Sequence, residues 1–328
     1  MKKLSFPYLL IISLTVCSAC EDISDNQDLK WSHINTGKEE PAIEKTIYEE
    51  TFDRGSDLRE NQSLCIWGGK AFCFNDGKVC KVLDMESKKW LYSEPLPVSS
   101  HQNNAQFLNT YYEEEDKYPL MLLSRGDYPP SSNNAYIVRV SEVNNIFSFS
   151  IVKTIHNSIK EAQNGGCWVI DEENNKIYLY CMTLSDWRLK DGNNKFCVYS
   201  FSLSDISTPE DVFFGYEDVL DKWEYTYLIH QGGTFYNGFL FFNVGSMESY
   251  EGMNIASDQD VIVINTRNGR IEAIMPLRDY KETEGICVYN NMLYITFKNG
   301  SNQQYPANIV FSLKEYTLPT SIVTRNNE

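Results

Sequence analysis

The chain has 328 residues, 29 basic and 45 acidic side chains, and a formal net charge of −16. That balance, with no basic run anywhere, excludes nucleic acid as a natural partner, because phosphates are bound through Lys and Arg that displace counterions. The length suits one large domain or two modest ones, and the abundance of Tyr, Phe, Val and Ile without helical periodicity points to strands.

The chain opens with Lys2 and Lys3, continues through a short apolar stretch over 9–16, and reaches small Ser18 and Ala19 before Cys20. A spanning helix needs about 20 apolar residues, so this stretch is too short, and its layout is that of an export signal. The run Cys17-Ser18-Ala19-Cys20 resembles the lipobox of bacterial lipoproteins, although that family prefers Leu where this chain has Cys17. The resemblance implies a signal peptide over 1–19, cleavage before Cys20 and lipidation of the Cys20 thiol. Ordinary secretion with cleavage nearby is the alternative. The acidic run over 21–25 resembles the tag that sends some Gram-negative lipoproteins to the outer face of the outer membrane. It implies cell-surface display, with the lipid anchor as the only membrane contact. Residues 20–45 are polar, lack an apolar period and read as a flexible acidic tether to a single domain over 46–328.

Seven cysteines remain beyond the leader: Cys65, Cys73, Cys80, Cys167, Cys181, Cys197 and Cys287. No CxxC pair or Cys/His cluster with zinc spacing is present, and no metal or cofactor is expected. Most lie in apolar runs, as buried small hydrophobes do, with one or two disulfides between neighbouring strands as the alternative.

One pattern recurs in chain order: a polar or Gly lead-in, an apolar strand, a tight turn and a second apolar strand. Strand 46–52 comes first. The pattern then runs 64–67, Gly68-Gly69, 70–74. A looser copy has 104–108, a longer acidic turn and 119–123. It returns as 167–170 and 176–180 around a turn over 171–175. It returns again as 233–236, Asn237-Gly238, 239–242, and as 286–289, Asn290-Asn291, 292–295. Asn-Gly and Gly-Gly suit two-residue hairpins because they tolerate positive φ. Third and fourth strands follow most copies: 78–83 with 89–92, 135–140 with 147–151, 196–201, and 260–264 with 270–274. The last copy has only 308–313, and strand 46–52 can supply its fourth strand.

Four-stranded meanders repeating every 40 to 65 residues describe propeller blades, because packing blades around an axis gives each face a neighbour. The expected fold is therefore all-β: a β-propeller of five blades, each a four-stranded antiparallel meander. Six blades, or a pair of two-sheet sandwiches, are the rivals. WD and kelch signatures are absent. The organisation resembles exported β-propeller lipoproteins, and Glu284-Gly285-Ile286 resembles a lead-in found in several propeller families.

In such a fold the residues just before each innermost strand ring a channel mouth. They are Glu60, Asn61 and Gln62; His101, Asn103 and Asn104; Gln163 and Asn164; His230 and Gln231; and Glu282 and Glu284. Amides there either satisfy backbone groups of neighbouring blades or hold a polar ligand. Five-bladed glycosidases resemble this architecture and work with a carboxylate pair. This chain departs from their pattern on the first two blades, which leaves Glu284, His230 and His101 as the catalytic candidates. Trp187 and Tyr250, in insertions, have faces on which a sugar ring can stack. The reading is a lipid-anchored surface protein that binds a glycan or an envelope partner protein. A carbohydrate-active hydrolase or lyase, and a scaffold with no small ligand, are the alternatives.

Overall fold

The computed structural model describes residues 38–40, 42–53, 61–98, 101–125, 134–162, 164–183, 195–203, 206, 208–225, 230–244, 249–250, 253–254, 259–277, 282–298 and 308–323. Cys20, Gln163 and Trp187 lie outside them. The protein is all-β. Strands β1 (Lys38–Glu39) and β2 (Glu44–Asp53) precede a meander of β3 (Asn61–Trp67), β4 (Lys70–Asn75), β5 (Cys80–Asp84) and β6 (Lys89–Ser93). A second comprises β7 (Asn104–Phe107), β8 (Met121–Ser124), β9 (Ala135–Val143) and β10 (Ile146–Asn157). Next come β11 (Asn164–Asp171), β12 (Lys176–Met182), β13 (Phe196–Ser202), β14 (Val212–Phe214) and β15 (Asp221–Tyr225). The fourth group is β16 (His230–Tyr236), β17 (Phe239–Val244), β18 (Ser249–Tyr250), β19 (Met253–Asn254), β20 (Asp260–Asn265) and β21 (Arg270–Pro276). Strands β22 (Glu282–Tyr289), β23 (Met292–Lys298) and β24 (Asn308–Thr317) lead to a short helix α1 (Thr320–Val323).

The expected turns form. Gly68 and Gly69 have φ of +56° and +73°, and Asn237 and Gly238 have +50° and +80°. Both central residues lie at positive φ, the twist that two-residue hairpins require. Strand β2 pairs antiparallel with β24 from Glu44↔Tyr316 to Asp53↔Asn308, so β2 completes the last sheet.

Two features depart from four separate strands per unit. The first two meanders join into one nine-stranded sheet through a parallel contact, Ile146↔Tyr92 and Phe147↔Ser93, and β14 pairs beside β10. Strand β10 is 12 residues long, so one end reaches β6 and the other β14. In the fourth group β1 adds parallel to β21, so sheet pairing begins at Lys38, ahead of residue 46.

Five apolar cores lie between successive groups. Leu122 and Ile137 pack with Trp168 and Tyr199; Tyr178 and Trp223 with Phe242 and Ile264; Phe72 and Val82 with Leu123 and Val138. Phe241 and Val263 pack with Leu293 and Ile295, and Leu64 and Leu83 with Phe311 and Leu313. The alternation of each strand puts every second side chain into one core and the rest into the next. Each fully buried large apolar side chain is worth about 1.5–3 kcal/mol. The first strands meet one another in a closed series: β3 with β7, β7 with β11, β11 with β16, β16 with β22, and β22 with β3. Gly285 permits the last of these, since a Cβ there would overlap the backbone of Ser63 and Leu64. The Glu-Gly-Ile lead-in thus has a steric reason.

Candidate functional site

The five first strands present two different ends. At their starts, several of the polar residues singled out from sequence are engaged by neighbouring groups. Asn104 is buried; its Nδ2 donates to the Trp168 carbonyl at 2.8 Å, and its Oδ1 accepts the Gly233 amide at 3.2 Å. Asn243 does the same between Gly232 N (2.6 Å) and the Glu284 carbonyl (2.7 Å). These amides join neighbouring first strands, which have no ladder of their own to satisfy them.

Glu282 and Glu284, 3% and 2% exposed, share Lys298: its Nζ contacts Glu284 and lies 4.0 Å from Glu282 Oε2. Gln231 Nε2 donates to Glu282 Oε1 at 3.1 Å. His230 sits among aromatic rings. The Tyr180 ring lies 4.8 Å away edge-on and the Phe196 ring 5.5 Å away. Burial in that aromatic pocket pulls its pKa down to about 4, so the imidazole is neutral at physiological pH. His101 Nδ1 lies 2.5 Å from Asp76 Oδ1, on the partly exposed edge between the first two groups. Asn103 is half-buried beside the Cys167 thiol. Asn164 opens β11 and Tyr250 closes β18, and their backbones alone are described. The three catalytic candidates, Glu284, His230 and His101, therefore occupy three separate surroundings.

The open cavity lies at the other ends of the same strands. It measures about 610 Å³ and takes residues from all five: Trp67 from β3, Phe107 from β7, Ile170 from β11, Phe235 and Tyr236 from β16, Tyr289 from β22. Its floor includes Cys65, Thr234 and Cys287, and its rim Asn109, Asn237, Asn290, Glu172 and Glu173. Both floor thiols are pushed well above their ordinary pKa by desolvation, so they are protonated and inert. Gln106 is committed to the wall, exchanging two hydrogen bonds with Ile170 (2.7 and 2.9 Å). The rings are held from behind: the Tyr289 hydroxyl accepts Gly69 N at 3.2 Å, and the Tyr236 hydroxyl donates to Asn291 Oδ1 at 2.6 Å. Trp67 packs 6.0 Å from Phe107. Sequence reasoning missed these residues because each ends a strand or sits in a hairpin turn, where Asn237 and Asn290 have an evident role in the turn alone. The available signal was the aromatic at or next to the end of four of the five first strands.

All seven cysteines in the described residues are free and buried. Cys181 and Cys197 face each other across β12 and β13. No group of three or more His, Cys, Asp or Glu among the described residues is placed to hold a metal.

No family model and no curated protein matches the chain. Among solved structures it is similar to Kuenenia stuttgartiensis hydrazine synthase, at 11% identity over 70% of this chain and a TM-score of 0.38. The chain spans 61% of that longer one. It is also similar to Myxococcus xanthus glutaminyl cyclase, at 12% identity over 85% of this chain and 100% of the other, TM-score 0.43. The computationally designed Ika8 protein matches at 12% identity over 79% and 71%, TM-score 0.30.

Proposed function

We propose that this chain is a five-bladed β-propeller, anchored through a lipidated Cys20 to the outer membrane and displayed at the cell surface, where it binds a glycan. The closed series of first strands, with a core between each successive pair of groups, supports the propeller reading. The lipobox resemblance and the acidic run after it support anchoring and display.

The observation that carries the binding reading is the cavity. Its volume falls in the range of small-ligand sites, about 300–1,000 Å³. Five aromatic rings offer flat apolar faces to the C–H face of a sugar, and Asn109, Asn237 and Asn290 offer donors and acceptors to its hydroxyls. The second reading, capture of an envelope partner protein, uses the same mouth and differs only in the occupant. A glycan screen tests the choice. Trp67→Ala and Tyr289→Ala are expected to weaken oligosaccharide binding at least ten-fold with the fold retained. Unchanged binding in both variants removes this cavity as the site.

A further inference from the structure

The cavity has a charge character as well as a shape. Among its named lining residues are two carboxylates, Glu172 and Glu173, and no Lys, Arg or His. Among the described residues Glu172 accepts from neutral donors: the backbone amide of Asn109, and the amide and hydroxyl of Thr110 at 3.1 and 2.7 Å. Glu173 is exposed beside it on the rim. The five rings add the negative potential of their π faces. An anionic ligand entering here would be desolvated against like charge, with no cation among the described lining residues to receive it.

We infer that the ligand this cavity selects carries a protonated amine, as a saccharide with a free amino group does. This rests on the glycan reading and names its substrate class. The ammonium sits over an aromatic face within reach of Glu173, while the remaining hydroxyls meet the rim asparagines. An N-acetylated sugar of the same backbone keeps the stacking and loses the charge term, and a uronate reverses that term. Exposed ion pairs and cation–π contacts together make a preference of about ten-fold for the amine over its acetylated form.

Calorimetry on the purified protein tests this with five probes: an oligomer of glucosamine, the same oligomer N-acetylated, an oligouronate, and n-butylammonium and n-butanol as a non-sugar pair. At low salt the glucosamine oligomer is expected to bind about ten-fold tighter than its acetylated form, with the uronate weakest. The preference is expected to narrow in high salt and in Glu173→Gln, because screening and loss of the carboxylate remove the same term. Equal affinities, or tighter uronate binding, overturn the inference and leave glycan binding standing. If no sugar binds but butylammonium outcompetes butanol, amine selection stands and the glycan reading falls. Silence from all five probes overturns both.

Discussion

Asn104 and Gly233 lie 129 residues apart in the chain, yet the Gly233 amide donates to the Asn104 side chain while the same side chain donates to Trp168 O at 2.8 Å. One buried amide thus joins β7, β11 and β16 where no strand ladder runs between them. Ser124 Oγ adds a second tie, accepting the Trp168 amide at 2.9 Å. A polar residue at a first-strand lead-in is here a joint between sheets.

Asn104→Ala removes the side-chain acceptor of the Gly233 amide and leaves the Trp168 carbonyl to the Ser124 hydroxyl at 3.4 Å, and is expected to cost about 1–3 kcal/mol of stability. Urea denaturation measures it. Ligand affinity at a temperature where the variant is folded should stay at the parent value, since Asn104 does not line the cavity. A stable Asn104→Ala variant that loses binding would return this residue to the functional list.

His230 gives the fold a pH dependence with a defined sign. Its folded pKa, about 4, lies below the ordinary 6.5, so the unfolded chain binds the extra proton between those values. Its contribution is complete above pH 6.5 and is lost as pH falls towards 4. Comparing unfolding midpoints at pH 7 and 4.5, His230→Phe should show a shallower fall than the parent by about 1–3 kcal/mol. Parallel falls in the two proteins would mean that His230 charges freely in the native state.

Asn75 and Gln102 bury side-chain amides, 2% and 0% exposed, that meet no hydrogen-bond partner among the described residues. An unsatisfied buried amide destabilises by about 1–3 kcal/mol. Gln102→Met keeps the shape and removes the amide, so it is expected to raise the thermal midpoint. A lowered midpoint would instead reveal a bound hydrogen-bonding occupant.

The thiols provide a chemical check. Burial pushes Cys167 and Cys197 to about 12 and the other described cysteines upward, so little thiolate exists at neutral pH. Alkylation of the folded protein should leave Cys65, Cys73, Cys80, Cys167, Cys181, Cys197 and Cys287 unmodified, and alkylation after denaturation should label all seven without reductant. A mass difference showing Cys181 joined to Cys197 would contradict the free pair across β12 and β13.

Anchoring is tested by location. Cys20→Ser is expected to move the protein from the membrane fraction to the soluble one, and protease shaving of intact cells should remove the parent. Membrane retention of Cys20→Ser would set the lipid anchor aside.

The sequence alone determined what depends on neighbours in the chain. Alternating apolar runs fixed the strands, and pairs such as Gly68-Gly69 and Asn237-Gly238 fixed the turns, because period and positive φ are local properties. The missing fourth partner of the last sheet was legible as strand 46–52. Tertiary structure decided the rest. Whether a lead-in amide faces a ligand or a neighbouring backbone depends on which strand lies beside it, and for Asn104 those partners are 64 and 129 residues away. The cavity depends on side chains from five strands converging at one end, so no single repeat contains it. The joining of β6 to β10 followed from the reach of a 12-residue strand across a gap that sequence does not measure.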